Sequence, residues 1–95
     1  MDREGGGRMI RRHIIFHGRV QGVGFRYTAR YIASDLGLQG WVSNLWDGSV
    51  EMEVQGEGEL IDEMLRRLAR QRYIMIEDMD IREIPVEDER GFHVK

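Results

Sequence analysis

From Ile10 onward the apolar residues Ile10, Ile14, Phe16 and Val20 fall on even positions, while Arg11, His13, His17 and Arg19 fall on odd ones. A period of two marks an extended strand with one buried face, to which Arg12 and Ile15 are exceptions. Gln21-Gly22-Val23-Gly24 breaks the alternation. Phe25, Ala29, Ile32, Ala33 and Leu36 then recur at helical spacing, and Gly37 stands where a left-handed C-terminal cap belongs. A helix is therefore expected from about Phe25 to Leu36.

A second strand follows at about Gln39 to Leu45. The Asp47-Gly48 pair then favours a tight hairpin turn, after which Val50, Met52 and Val54 alternate with Glu51, Glu53 and Gln55. Strands two and three should be antiparallel neighbours. Between about Glu59 and Arg72 a second helix is expected, with Met64, Leu65 and Leu68 on one face, acids at its start and arginines toward its end, the polarity a helix dipole favours. Ile76 to Ile84 reads as a further strand closed by Pro85, and Phe92 and Val94 alternate with His93 and Lys95 as a short edge strand. The order βαββαβ predicts an α+β, ferredoxin-like sandwich: an antiparallel sheet of four or five strands with two helices on one face.

With 95 residues the chain forms one domain. Residues 1–8, polar and carrying three consecutive glycines, read as a flexible N-terminal extension, and residues 9–95 as the folded unit. Apolar residues at 41% and charged residues at 33% suit a globular chain. Without cysteine there is neither disulfide nor thiolate chemistry, and a reducing compartment, the cytoplasm, is the expected location. No apolar run is longer than four residues, far too short to span a membrane. A net charge of −3 gives no general attraction to nucleic acid or anionic lipid, so any anion must be captured locally, and a monomer without either partner is expected.

Such a capture site is suggested by Gly18-Arg19-Val20-Gln21-Gly22-Val23-Gly24-Phe25-Arg26. Glycines let consecutive N–H groups turn inward, and the first turn of the following helix adds free donors and partial positive charge. Arg26 lies in that first turn, an unfavourable place for a cation, and its guanidinium offers a bidentate fork to a phosphoryl group. Taken alone, the glycine pair is better explained by a tight strand-to-helix connection with a solvated Arg26. It is neither a Walker loop nor a dinucleotide fingerprint, since no Gly-Lys-Ser/Thr follows and Tyr27 stands in the place of a third glycine.

These residues resemble the acylphosphatase family. Its first signature, Gly-x-Val-Gln-Gly-Val-x-Phe-Arg, is matched by Gly18 to Arg26 without a mismatch. Its second, Gly-aromatic-Val-x-Asn followed by x-x-Asp-Gly-x-Val-Glu, is matched by Gly40 to Glu51. The likeness extends over nearly all of the chain from Ile10. It implies hydrolysis of the carboxyl–phosphate bond of small acyl phosphates, with no metal, cofactor or covalent intermediate. The backbone of Gln21, Gly22, Val23, Gly24 and Phe25 and the guanidinium of Arg26 would hold the phosphoryl oxygens, and the Asn44 side chain would orient the attacking water. By position alone Asn44 is better explained as the cap of a strand end, and the paired motifs reverse that reading. The leaving carboxylate needs no proton, which explains why no acid–base pair stands out.

Ser43, Trp46 and the ending Phe92-His93-Val94-Lys95 depart from the family pattern. His13 and His17, four apart on a strand, lie about 13 Å from each other along the chain and read as solvent-facing residues rather than a chelating pair. Glu51, Glu53, Glu57 and Glu59 are accounted for by strand alternation and helix-start preference without a metal. The alternatives are a ferredoxin-like binding module, for RNA or a small molecule, and an accessory domain that handles carbamoyl phosphate within a larger assembly.

Overall fold

A computed structural model of the chain describes residues 8–95, so the expected N-terminal extension lies outside the described residues except for Arg8, which donates to Glu83 at 3.3 Å. Seven elements follow in order: β1 (Met9–Arg19), α1 (Phe25–Leu36), β2 (Gln39–Asn44), β3 (Val50–Glu57), α2 (Gly58–Ala69), β4 (Met75–Ile84) and β5 (Phe92–Val94). The strands form one sheet in the order β4-β1-β3-β2-β5. The first four are antiparallel to their neighbours, as expected. The fifth is present but pairs parallel to β2, so the sheet is mixed.

The period-two pattern specifies which face is buried. Register places Ile14 beside Met52, Met52 beside Val42, and Phe16 beside Val50, so these side chains share one face. Against it pack Phe25, Ala29, Ile32 and Ala33 of α1 and Ile61, Met64 and Leu68 of α2, all buried. Phe16 and Phe25 meet with ring centroids 4.9 Å apart. Helix α1 ends as its sequence predicts: Gly37 is left-handed (φ 71°), its N–H returns to Ser34, and the Leu38 N–H returns to Ala33. Helix α2 stops at Ala69, three residues short of the expected Arg72.

The other face of the sheet departs from expectation at Arg11. Its odd position predicts an exposed side chain, yet it is completely buried, with 0% of its surface accessible. The cause is topological. Strand β4 lies at one edge of the sheet and β5 at the other, so the connection over residues 85–91 must cross the open face. Gln55 pins it by donating from Nε2 to the Glu87 carbonyl and accepting the Glu87 N–H, both at 2.8 Å. Beneath the crossing, the Arg11 guanidinium donates to Glu53 at 2.9 Å, to Gln55 at 3.2 Å and to Glu89 at 2.7 Å. Burial by itself lowers the Arg11 pKa, but the bonds to Glu89 and Glu53 and the charge of Glu87 outweigh it, and the net shift is upward. His13 and His17 lie on this open face and meet Glu51 at 2.8 Å and Asp80 at 3.0 Å, so each pairs with a carboxylate and not with the other.

Candidate active site

Strands β1 and β2 run in the same direction with β3 between them, and β5 runs parallel to β2. The turn leaving β1, the end of β2 at Asn44 and the end of β5 therefore open at one end of the sheet. Asn44 pairs with Val50 on the face that carries Val42 and Met52, so its side chain projects on the helical side, where α1 begins. Two segments that are separate in sequence meet there for this reason. They enclose a hollow of about 170 Å³ lined by Val20, Gly22, Gly24, Phe25, Arg26, Tyr27 and Asn44.

The turn itself depends on left-handed glycines. Gly22 has φ 75° and Gly24, the N-cap of α1, has φ 80°. No side chain caps the helix and no acid occupies its first turn, so the positive end of α1 faces the hollow uncompensated. A Cβ on Gly22 or Gly24 would meet nothing within 4 Å, so glycine is required here by conformation and not by space. Gly24→Ala is accordingly expected to cost only about 1 kcal/mol of stability, the usual penalty for a left-handed alanine. Its effect on acyl phosphate hydrolysis, measured beside urea unfolding, should be larger, about tenfold or more, because relaxation of the strain turns N–H groups away from the hollow.

Arg26 and Asn44, the two side chains singled out by the sequence, both line the hollow. Arg26 is half-buried as a residue, and its guanidinium makes one bond, from Nη1 to the main-chain oxygen of Lys95 at 2.7 Å. That oxygen is placed by the Lys95 N–H, which donates to Val42 at 2.8 Å and extends the β5 pairing. The departure from the family pattern at the chain's ending thus leaves a main-chain contact that does not depend on side-chain identity. Lys95 Nζ stacks over the Trp41 ring at 4.3 Å, on the other face of the sheet.

Gln21 and Val23, expected to contribute backbone donors, are not among the residues lining the hollow. The Gln21 side chain has a task the sequence did not reveal. Its Nε2 donates to the carbonyls of Leu45 and Ser49 at 2.7 and 2.8 Å, which ties the β1–α1 turn to the hairpin that follows Asn44. The hairpin is closed further by the Leu45 N–H bond to the Ser49 carbonyl at 2.9 Å and by Asp47, which accepts from the Ser49 hydroxyl and N–H. Those two Ser49 donors hold the Asp47 carboxyl below the usual carboxylate range. Trp46, at the tip, is 97% exposed and braces nothing. Among the described residues no group of three His, Asp or Glu side chains is arranged to hold a metal ion, and no helix is long and apolar enough to cross a membrane.

Comparison with known proteins bears on the family and the fold. A sequence model of the acylphosphatase family matches residues 12–94. An acylphosphatase of Bifidobacterium longum is 41% identical over 90 residues, covering 92% of this chain and 93% of that protein. The crystal structure of an acylphosphatase from Bacillus subtilis superimposes with a TM-score of 0.85 at 31% identity, covering 90% of this chain and 98% of that one. Full-length HypF in its phosphate- and nucleotide-bound form superimposes with a TM-score of 0.81 at 28% identity, over 98% of this chain but only 12% of its own. With both signatures on one hollow and the family's match running through nearly every element, the chain belongs to the acylphosphatase family, hydrolases of acyl phosphates.

Proposed function

We propose that the hollow at the start of α1 is the catalytic site, and that it hydrolyses small acyl phosphates by direct attack of water on phosphorus. The observation that carries this reading is the shared lining of the hollow by Gly22, Gly24, Arg26 and Asn44. The phosphoryl dianion sits against the N–H groups of the turn and the first turn of α1, where the helix dipole favours negative charge. Arg26 supplies the compensating cation and two donors in a fork. Asn44 accepts a hydrogen bond from water through its amide oxygen and directs the water at phosphorus. A neutral amide adds no charge beside the dianion, whereas a carboxylate would repel it.

Catalysis is then positioning plus charge stabilisation. The acyl oxygen departs as a carboxylate that is stable without a proton, so neither a general acid nor a metal is needed. Gln21 acts through structure by holding the Asn44 hairpin against the phosphate turn. The enzyme works as a monomer in the cytoplasm, with no cofactor and with neither nucleic acid nor membrane as partner, a reading supported by its acidic net charge and lack of cysteine.

The test is Asn44→Ala. Because the amide positions water and carries no phosphate charge, kcat for acetyl phosphate should fall about a hundredfold while competitive inhibition by inorganic phosphate stays within a few-fold. Assays in EDTA should give the wild-type rate. Equal loss of phosphate affinity and kcat would assign Asn44 to phosphate binding, and an unaltered kcat would remove it from the mechanism.

A further inference from the structure

The two edges of the sheet are unlike. Strand β5 is three residues long, whereas β4 runs for ten, and among the described residues only β1 pairs with it. The outer side of β4 therefore presents a row of unpaired N–H and C=O groups. Met79 and Ile81 lie across from Phe16 and Ile14 on the helical side, yet 36% and 47% of their surfaces stay accessible, since no further strand flanks them. Neither lysine nor proline, which commonly blunt such an edge, occurs within the strand.

The charges on β4 select what can pair there. Two copies joined edge to edge, antiparallel about a two-fold axis, oppose residues whose side chains share a face, and one residue meets its own copy at the centre. Asp78, Asp80, Arg82 or Glu83 at the centre would each meet its own charge, and Met79 there would set Asp78 against Asp80. Within residues 78–83 only a centre on Ile81 escapes. It sets Ile81 against Ile81, Asp80 against Arg82 on both sides of the axis, Met79 against Glu83 and Asp78 against Ile84. Ile81 is also the midpoint of residues 78–84, over which β4 follows β1 without irregularity; the bulge falls just outside, at Glu77.

We propose that the outer edge of β4 is a self-association surface, through which two copies of the chain join into one continuous sheet centred on Ile81. The main chain of residues 78–84 gains partners, the two Ile81 side chains leave water together on the helical side, and Asp80 pairs with Arg82 across the open face. Asp80 already meets His17 at 3.0 Å on that face. Strand β4 contributes nothing to the lining of the hollow at the start of α1, so each copy keeps a complete site and the single chain remains the catalytic unit. One strand pair makes a small interface, so the association is weak and depends on concentration.

Sedimentation velocity over about a hundredfold range of concentration, up to about 1 mM, tests this. The mass should rise from the 11.2 kDa of one chain toward twice that value. Ile81→Lys, which puts two cations at the centre, and Arg82→Asp, which opposes carboxylates on both sides of it, should each weaken dimerisation at least about tenfold. Adding Asp80→Arg to Arg82→Asp re-forms both pairs with the signs exchanged and should restore the dimer to within a few-fold. Far-UV circular dichroism and acetyl phosphate hydrolysis per chain should stay at the wild-type level throughout. A wild type of one mass at every concentration overturns the proposal and leaves the edge to an extended segment of another protein. A dimer that survives both Ile81→Lys and Arg82→Asp overturns it by assigning a different face, and an exchanged pair that fails to restore the dimer overturns the register.

Discussion

Arg26→Ala is expected to lower kcat/KM for acetyl phosphate by about two to three orders of magnitude, the range found when one preorganised donor to a developing charge is removed. The fold should survive. Arg26 makes one bond, to the Lys95 main chain, and flanks Tyr27. Against that loss stands a small gain, because a cation in the first turn of a helix opposes the dipole by about 0.3–1 kcal/mol. Urea unfolding should therefore move by no more than about 1 kcal/mol in either direction. Arg26→Lys separates charge from geometry. It keeps the cation but not the planar fork, and should recover only part of the activity. Steady-state kinetics beside urea titration check both; near-normal turnover in Arg26→Ala would remove the guanidinium from catalysis, and gross unfolding would make its role structural.

The largest stability effect should come from the opposite face of the sheet. Arg11→Met keeps much of the side chain's volume but leaves Glu53 and Glu89, each with only 19% of its side-chain surface accessible, without their shared cation. Removing one partner from a buried ionic cluster costs about 3–5 kcal/mol, because the remaining charges stay desolvated. Glu89→Gln, which leaves Arg11 with Glu53, should cost much less. The two losses should not add in the double variant, since both act on one cluster. Urea unfolding at neutral pH measures all three. A change below about 1 kcal/mol for Arg11→Met would mean that the 85–91 crossing lifts and readmits water instead of staying in place.

Much of this architecture follows from patterns a few residues long. The alternation of Ile10, Ile14 and Phe16, the stripe from Phe25 to Leu36 and the cap at Gly37 each specify local geometry through burial and backbone sterics. The element order then leaves few ways to bury both helical stripes, and the expected sandwich is the one formed. The lining of the proposed site was legible for another reason: Gly22, Gly24, Arg26 and Asn44 are residue types with special backbone or donor properties, set within two long motifs.

Other features required three dimensions. Gln21 looked like a source of one backbone donor, and its side-chain bonds to Leu45 and Ser49 exist only because two turns meet at the same end of the sheet. Arg11 matched the polar half of an alternating strand, and nothing within β1 distinguishes a solvated arginine from a buried one. What buries it is the passage of residues 85–91 from one sheet edge to the other, which also sets β5 parallel to β2 and brings the Lys95 oxygen to Arg26. By itself the sequence determined the elements, their buried faces and the chemistry available at the turn between β1 and α1, because each depends on neighbours within a few residues. Tertiary structure alone decided the partners of Arg11, Gln21 and Arg26, because those depend on which strand ends and crossings the sheet order brings together.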